Sequence, residues 1–155
     1  MPQENLGATR ILVPISTFTD NPRLFKALQV LSNVKDHRVV LFKVVEVPRR
    51  TTPLDPSVWK EDIEQAESFL AKIASWLRGE GYRVETKVVT ARDAADGIIA
   101  EANNGSYTVV LMTKRRVQSG FGRIFHKSIS EIVIRYTNPL VLTFLAEPSA
   151  EEEQR

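Results

Sequence analysis

Between Lys114 and Ser130 the chain carries Lys114, Arg115, Arg116, Arg123 and Lys127 without a single carboxylate. Gly120 and Gly122 flank Phe121 in the same stretch, and Ser119, Ser128 and Ser130 supply hydroxyls. Cations, small residues and hydroxyls at this density suit the binding of an anion. Ser128 and Glu131 then form an S-x-x-E pattern, the signature of a capping box that starts a helix. The N–H groups of a helix's first turn lack intrahelical acceptors and carry roughly half a positive charge in aggregate, so an anion placed there is stabilised. An apolar run, VVLM from Val109, precedes the basic segment. The order is strand, loop, helix N-terminus, by which α/β folds hold phosphate. A solvated basic loop has the same composition and a lone G-x-G is a weak signal, so it is the order of elements that favours an anion site.

Other chemistries are poorly supplied. The chain has no cysteine, which removes disulfides, thiolate nucleophiles and cysteine-ligated metals. With only His37 and His126, a two-histidine metal site is not expected. There is no P-loop and no G-x-S-x-G elbow, and Asp93 and Asp96 read as capping residues of a helix start, so no enzyme is expected. Twenty-one basic residues face 19 acidic ones, for a net charge of +2. That balance, without interleaved exposed aromatics, speaks against specific nucleic-acid binding. No apolar run approaches the roughly 20 residues that span a bilayer, so membrane insertion is not expected and the chain reads as cytoplasmic.

The elements that must position the basic segment follow from periodicity. Arg10 to Ile15, Arg38 to Val45, Tyr82 to Val89, Tyr107 to Met112 and Pro139 to Phe144 read as strands. Helices are predicted after Asn21-Pro22, over Trp59 to Gly79 with Ile63, Ala66, Phe69, Leu70, Ile73 and Leu77 on one face, over Arg92 to Asn103, and over Ile129 to Tyr136. Strict alternation of strand and helix implies an α/β fold: a five-stranded parallel sheet with helices on both faces. In the order 3-2-1-4-5, strands one and four flank the switch point beyond whose carboxyl ends ligands sit. Pro14 and Ser16, at the end of strand one, therefore join Lys114, Arg115, Arg116, Ser119, Gly120, Gly122, Arg123, Lys127, Ser128 and Ser130 as candidate ligand-binding residues. The domain is expected over 10–146, with an N-terminal arm at 1–9 and an acidic, disordered tail at 147–155.

The chain resembles the universal stress protein (UspA-type) family. The resemblance is carried by ILVP at Ile11 to Pro14, VVLMTKRR at Val109 to Arg116, the pattern S-G-F-x-R-I-F-x-x-S-I-S-E-I-V from Ser119 to Val133, and NPLVLTF at Asn138 to Phe144. It implies a Rossmann-like fold and a stress-response or regulatory role. It also implies a homodimer through the C-terminal edge strand, whose Val141, Leu142 and Phe144 offer an apolar edge. The nucleotide-binding subgroup carries G-x2-G-x9-G-[ST] and an aspartate after the first strand's proline. Here the three glycines align with Lys114, Val117 and Lys127, the terminal serine is kept as Ser128, and Ser16 holds the aspartate position. Glycine admits backbone N–H groups to a phosphate without a Cβ in the way. Its loss makes this a divergent member, whose cofactor would be ATP or another adenine nucleotide held differently. The stretch Val44 to Asp55 also resembles domains fused to amino-acid permeases and cation/proton antiporters. The alternative implied is a cytosolic regulatory module or partner of a membrane transporter that binds no nucleotide.

Overall fold

In the computed structural model the described residues are 10–16, 21–31, 34–47, 53–114 and 128–146. They form β1 (Arg10–Pro14), α1 (Asn21–Val30), β2 (Arg38–Glu46), α2 (Lys60–Gly79), β3 (Arg83–Ala91), α3 (Ala94–Asn104), β4 (Tyr107–Lys114), α4 (Ile129–Tyr136) and β5 (Leu140–Leu145). The sheet is wholly parallel in the order β3-β2-β1-β4-β5, as expected. The arm at 1–9 and the tail at 147–155 lie outside the described residues.

Burial on both faces accounts for the unbroken β-branched runs. Val39 and Leu41 of β2 pack with Leu24 and Leu28 of α1 and with Leu70, Ile73 and Leu77 of α2. Val40 and Phe42 of the same strand pack on the opposite face with Ile98 and Ala102 of α3 and Val133 of α4. One residue's shift along the strand exchanges one core for the other, so register is firmly set.

Several boundaries and faces differ from expectation. β4 runs two residues past Met112, because Lys114 pairs with Leu145 and its carbonyl accepts from the Ala146 N–H at 3.0 Å. Lys114 is therefore a strand residue rather than a loop residue. β2 likewise continues to Glu46, which pairs with Ala91. α3 starts at Ala94, since Asp93 has extended backbone and accepts the Asp96 N–H at 2.8 Å as N-cap. Phe69 is 39% exposed and not a core residue of α2; the Lys43 ammonium stands 5.2 Å from its ring centroid. On β5, Val141 and Phe144 pack against the two cores, while Leu140, Leu142 and Leu145 are the exposed apolar residues.

Helix α3 lies unusually close to the sheet. A Cβ at Gly97 would stand 2.6 Å from Val44 Cγ2, so β2 and α3 approach at a distance only glycine permits. This contact fixes the height of one wall of the cavity described next.

Candidate functional site

Side chains at Phe42, Val44 and Glu46 share one face of β2 by the period-2 rule, as do Leu12, Pro14 and Ser16 along the end of β1. Beyond the carboxyl ends of β1, β2 and β4, Pro14, Ser16, Phe42, Val44, Glu46 and Met112 floor a cavity of about 500 Å³. Its walls are the N-terminal turns of α3, with Ala94 and Ile98, and of α4, with Ser128, Ile129 and Ser130. The site is the switch point of the sheet, where β1 leads to β2 on one side and β4 lies on the other. An apolar floor with a few convergent polar groups is the usual make-up of a small-molecule site.

The two helix starts that open on the cavity are finished differently. At α3, the Ala94 N–H donates to Glu46 Oε1 at 2.8 Å and the Asp96 N–H to Asp93 Oδ1 at 2.8 Å. Two carboxylates thus meet that helix's positive end. At α4 the cap is neutral: Ser128 Oγ accepts the Glu131 N–H at 3.3 Å and lies 2.9 Å from Ser130 Oγ. Ser130 is 5% exposed, the one polar side chain buried among the described residues. The first-turn N–H groups of Ile129 and Ser130 have no intrahelical acceptor by the geometry of a helix.

Lys114 Nζ stands 3.7 Å from Glu131 Oε1, with both side chains substantially exposed. The carboxylate that a capping box turns back toward the N-cap is engaged here with this lysine. A pair this exposed contributes at most about 1 kcal/mol. Lys43 also borders the cavity, but its ammonium lies over Phe69 on the α2 face, where burial holds its pKa below the ordinary 10.5.

Of the residues singled out by sequence, Pro14, Ser16, Lys114, Ser128 and Ser130 all line the cavity. Arg115, Arg116, Ser119, Gly120, Gly122, Arg123 and Lys127 lie outside the described residues. Sequence reasoning missed Phe42, Val44, Glu46, Ala94, Ile98 and Met112. A signal for three of them exists: in RVVLFKVVE the positions of Phe42, Val44 and Glu46 alternate toward one face, ending on the strand's only acid.

This is the architecture of a doubly wound α/β domain. Residues 7–143 match the Universal stress protein family, and the chain belongs to it. Membership of that family places it among stress-response proteins. No curated protein matches the chain. Among solved structures it is similar to the universal stress protein from Archaeoglobus fulgidus, at 20% identity over 87% of this chain and 92% of that one, with a TM-score of 0.63. The universal stress protein from Archaeoglobus fulgidus in complex with dAMP is 19% identical over 87% and 96% of the two chains, with a TM-score of 0.62. A universal stress protein family protein from Arabidopsis thaliana with AMP bound is 17% identical over 93% and 98%, with a TM-score of 0.56.

Proposed function

We propose that this protein is a regulatory, non-catalytic member of the family that binds an adenine nucleotide in the switch-point cavity. The observation that carries the reading is the pairing of an apolar lining, Phe42, Val44 and Met112 of the floor and Ile98 of the α3 wall, with a neutrally capped helix N-terminus at Ser128. The floor suits a base and sugar. The first turn of α4 and the hydroxyls of Ser128 and Ser130 suit a phosphate. Relatives of the same fold with dAMP and with AMP bound support the choice of ligand. The serine hydroxyls hydrogen-bond each other rather than a base, in keeping with binding without turnover.

We place the protein in the cytoplasm; among the described residues no helix is long and apolar enough to cross a membrane. We also propose a homodimer through β5, whose Leu140 is 70% exposed beside the exposed Leu142 and Leu145. A paired edge would cover these leucines and satisfy the strand's outer backbone groups. No observation favours the transporter-partner reading.

Calorimetry and thermal shift against AMP, ATP and cyclic AMP, with and without magnesium, test the nucleotide reading. A ligand at 100 times its dissociation constant adds roughly 2.7 kcal/mol of stability. Stabilisation by at least one of the three is expected, and a flat response to all of them overturns the reading.

A further inference from the structure

Resting on the nucleotide reading above, we infer that Glu46 selects the base: its carboxylate accepts a hydrogen bond from an exocyclic amino group, so the cavity prefers adenine to a base with a carbonyl there. The cavity's two ends differ in charge. At α3 both capped donors are given to carboxylates, Glu46 on the Ala94 N–H and Asp93 on the Asp96 N–H. A phosphate brought to that end meets negative charge. At α4 the cap is the neutral Ser128 hydroxyl, and the first-turn acid, Glu131, is paired with Lys114, so less negative charge meets a phosphate there than at α3. The phosphate belongs at α4, which fixes the direction of the ligand.

The order β2-β1-β4 then sets its extent. Two interstrand spacings put the β2 wall about 10 Å from the β4 wall. A nucleoside monophosphate spans this distance with its phosphate at α4, its sugar over Pro14 and Ser16 of the β1 end, and its base over the half-buried Val44 beside Ile98. Glu46 lies two residues beyond Val44 on the same face, at the outer edge of the base. The Ala94 N–H holds its Oε1 at 2.8 Å, and among the described residues no donor meets Oε2. An ionised carboxylate only accepts hydrogen bonds, so it rewards an amino group and opposes a carbonyl oxygen. A site built to bond one polar group rejects the analogue that lacks it.

The test is calorimetry with AMP and inosine monophosphate. They differ in an exocyclic amino group against a carbonyl oxygen and in the adjacent ring nitrogen, an acceptor in adenine and an N–H donor in hypoxanthine. The preference expected here requires Glu46 to face the exocyclic position rather than that nitrogen. The wild-type protein should bind AMP about 10-fold to 100-fold more tightly, the range for a hydrogen bond to a charged group. Glu46→Gln keeps an acceptor for the Ala94 N–H and presents an amide that both donates and accepts. Its preference should fall to within about threefold. An undiminished preference in Glu46→Gln, with AMP still bound, overturns the role of Glu46 alone. If the wild-type protein binds neither nucleotide, the reading of the cavity falls with it. Equal thermal midpoints of the two unliganded proteins establish that the variant is folded, since Glu46 is exposed and its capping bond is retained.

Discussion

The close approach of α3 to β2 is testable by a pair of small substitutions. A methyl group at position 97 would stand 2.6 Å from Val44 Cγ2 and 3.2 Å from Val44 Cγ1 and Ala91 Cβ. Alanine in a helix interior is otherwise favoured over glycine by about 0.8–1.0 kcal/mol. Forcing a methyl into a packed contact costs about 1–3 kcal/mol. Gly97→Ala should therefore destabilise the protein by about 1 kcal/mol net. Val44→Ala removes two half-buried methyls, at about 0.8 kcal/mol each when fully buried, and should cost about 1 kcal/mol. In the double variant both Val44 contacts vanish and the helix propensity is recovered, so Gly97→Ala becomes neutral or stabilising there.

The expected coupling is about 1–2 kcal/mol, within the range for residues in contact. Urea denaturation followed by far-UV circular dichroism measures all four corners of the cycle. Additivity within about 0.5 kcal/mol would refute the steric argument. Val44 also floors the cavity, so the single Gly97→Ala variant should bind nucleotide more weakly than Val44→Ala under conditions where both are folded.

Ser128→Ala removes the cap of α4, costing about 1 kcal/mol. It also takes away the hydroxyl partner of the buried Ser130, which adds about 1 kcal/mol more; a thermal midpoint unchanged from wild type would count against the cap. Lys43 is held below its ordinary pKa of 10.5 by burial, so the unfolded chain binds more protons than the folded one between the two values. The Lys43 contribution to stability should accordingly rise with pH up to about 10.5, against the opposite contribution of Tyr82 and Tyr107, whose pKa values are raised by burial. Lys43→Met lacks the lysine's contribution, so its urea midpoint relative to wild type should fall as pH rises through the alkaline range. Leu142→Lys should convert a dimer to a monomer in sedimentation velocity, with the monomer's fold intact because Leu142 is 40% exposed. Glu131→Gln releases Lys114 from its ion pair and should raise AMP affinity about fivefold at low salt, an effect of about 1 kcal/mol that added salt removes.

The sheet was legible in the sequence because apolar runs buried on both faces alternate with helix-period segments, and parallel connections leave few orders to choose from. The site was legible only in part, and its failures share a cause. Lys114 and Glu46 are charged residues that end apolar runs, so hydropathy stops each strand before them. Their membership is decided by the neighbouring strand, through the pairings Lys114 with Leu145 and Glu46 with Ala91. Hydropathy carries no information about the length of a ladder's partner. The same blindness hid the cavity floor, since Phe42, Val44 and Met112 look like any core residues until α3 and α4 leave space above them. The edge of β5 was misread differently: an edge strand in a two-faced sheet still buries residues on each face, as Val141 and Phe144 do.

The replacement of family glycines by lysine does not by itself make the cavity more cationic. Lys114 stands at one aligned glycine position, and its charge is met by Glu131. At the opposite end, Glu46 and Asp93 both face the start of α3. What remains on the described walls for a phosphate is a helix dipole of roughly half a charge and the hydroxyls of Ser128 and Ser130. That suffices for one phosphate and offers nothing for the several charges of a triphosphate. The described geometry therefore favours a ligand whose binding free energy comes mainly from its base and sugar on the apolar floor. Among the described residues that line the cavity Glu46 is the one acid, and the base discrimination inferred for it rests on that place at the rim, where a carboxylate accepts from an amino group and opposes a carbonyl oxygen.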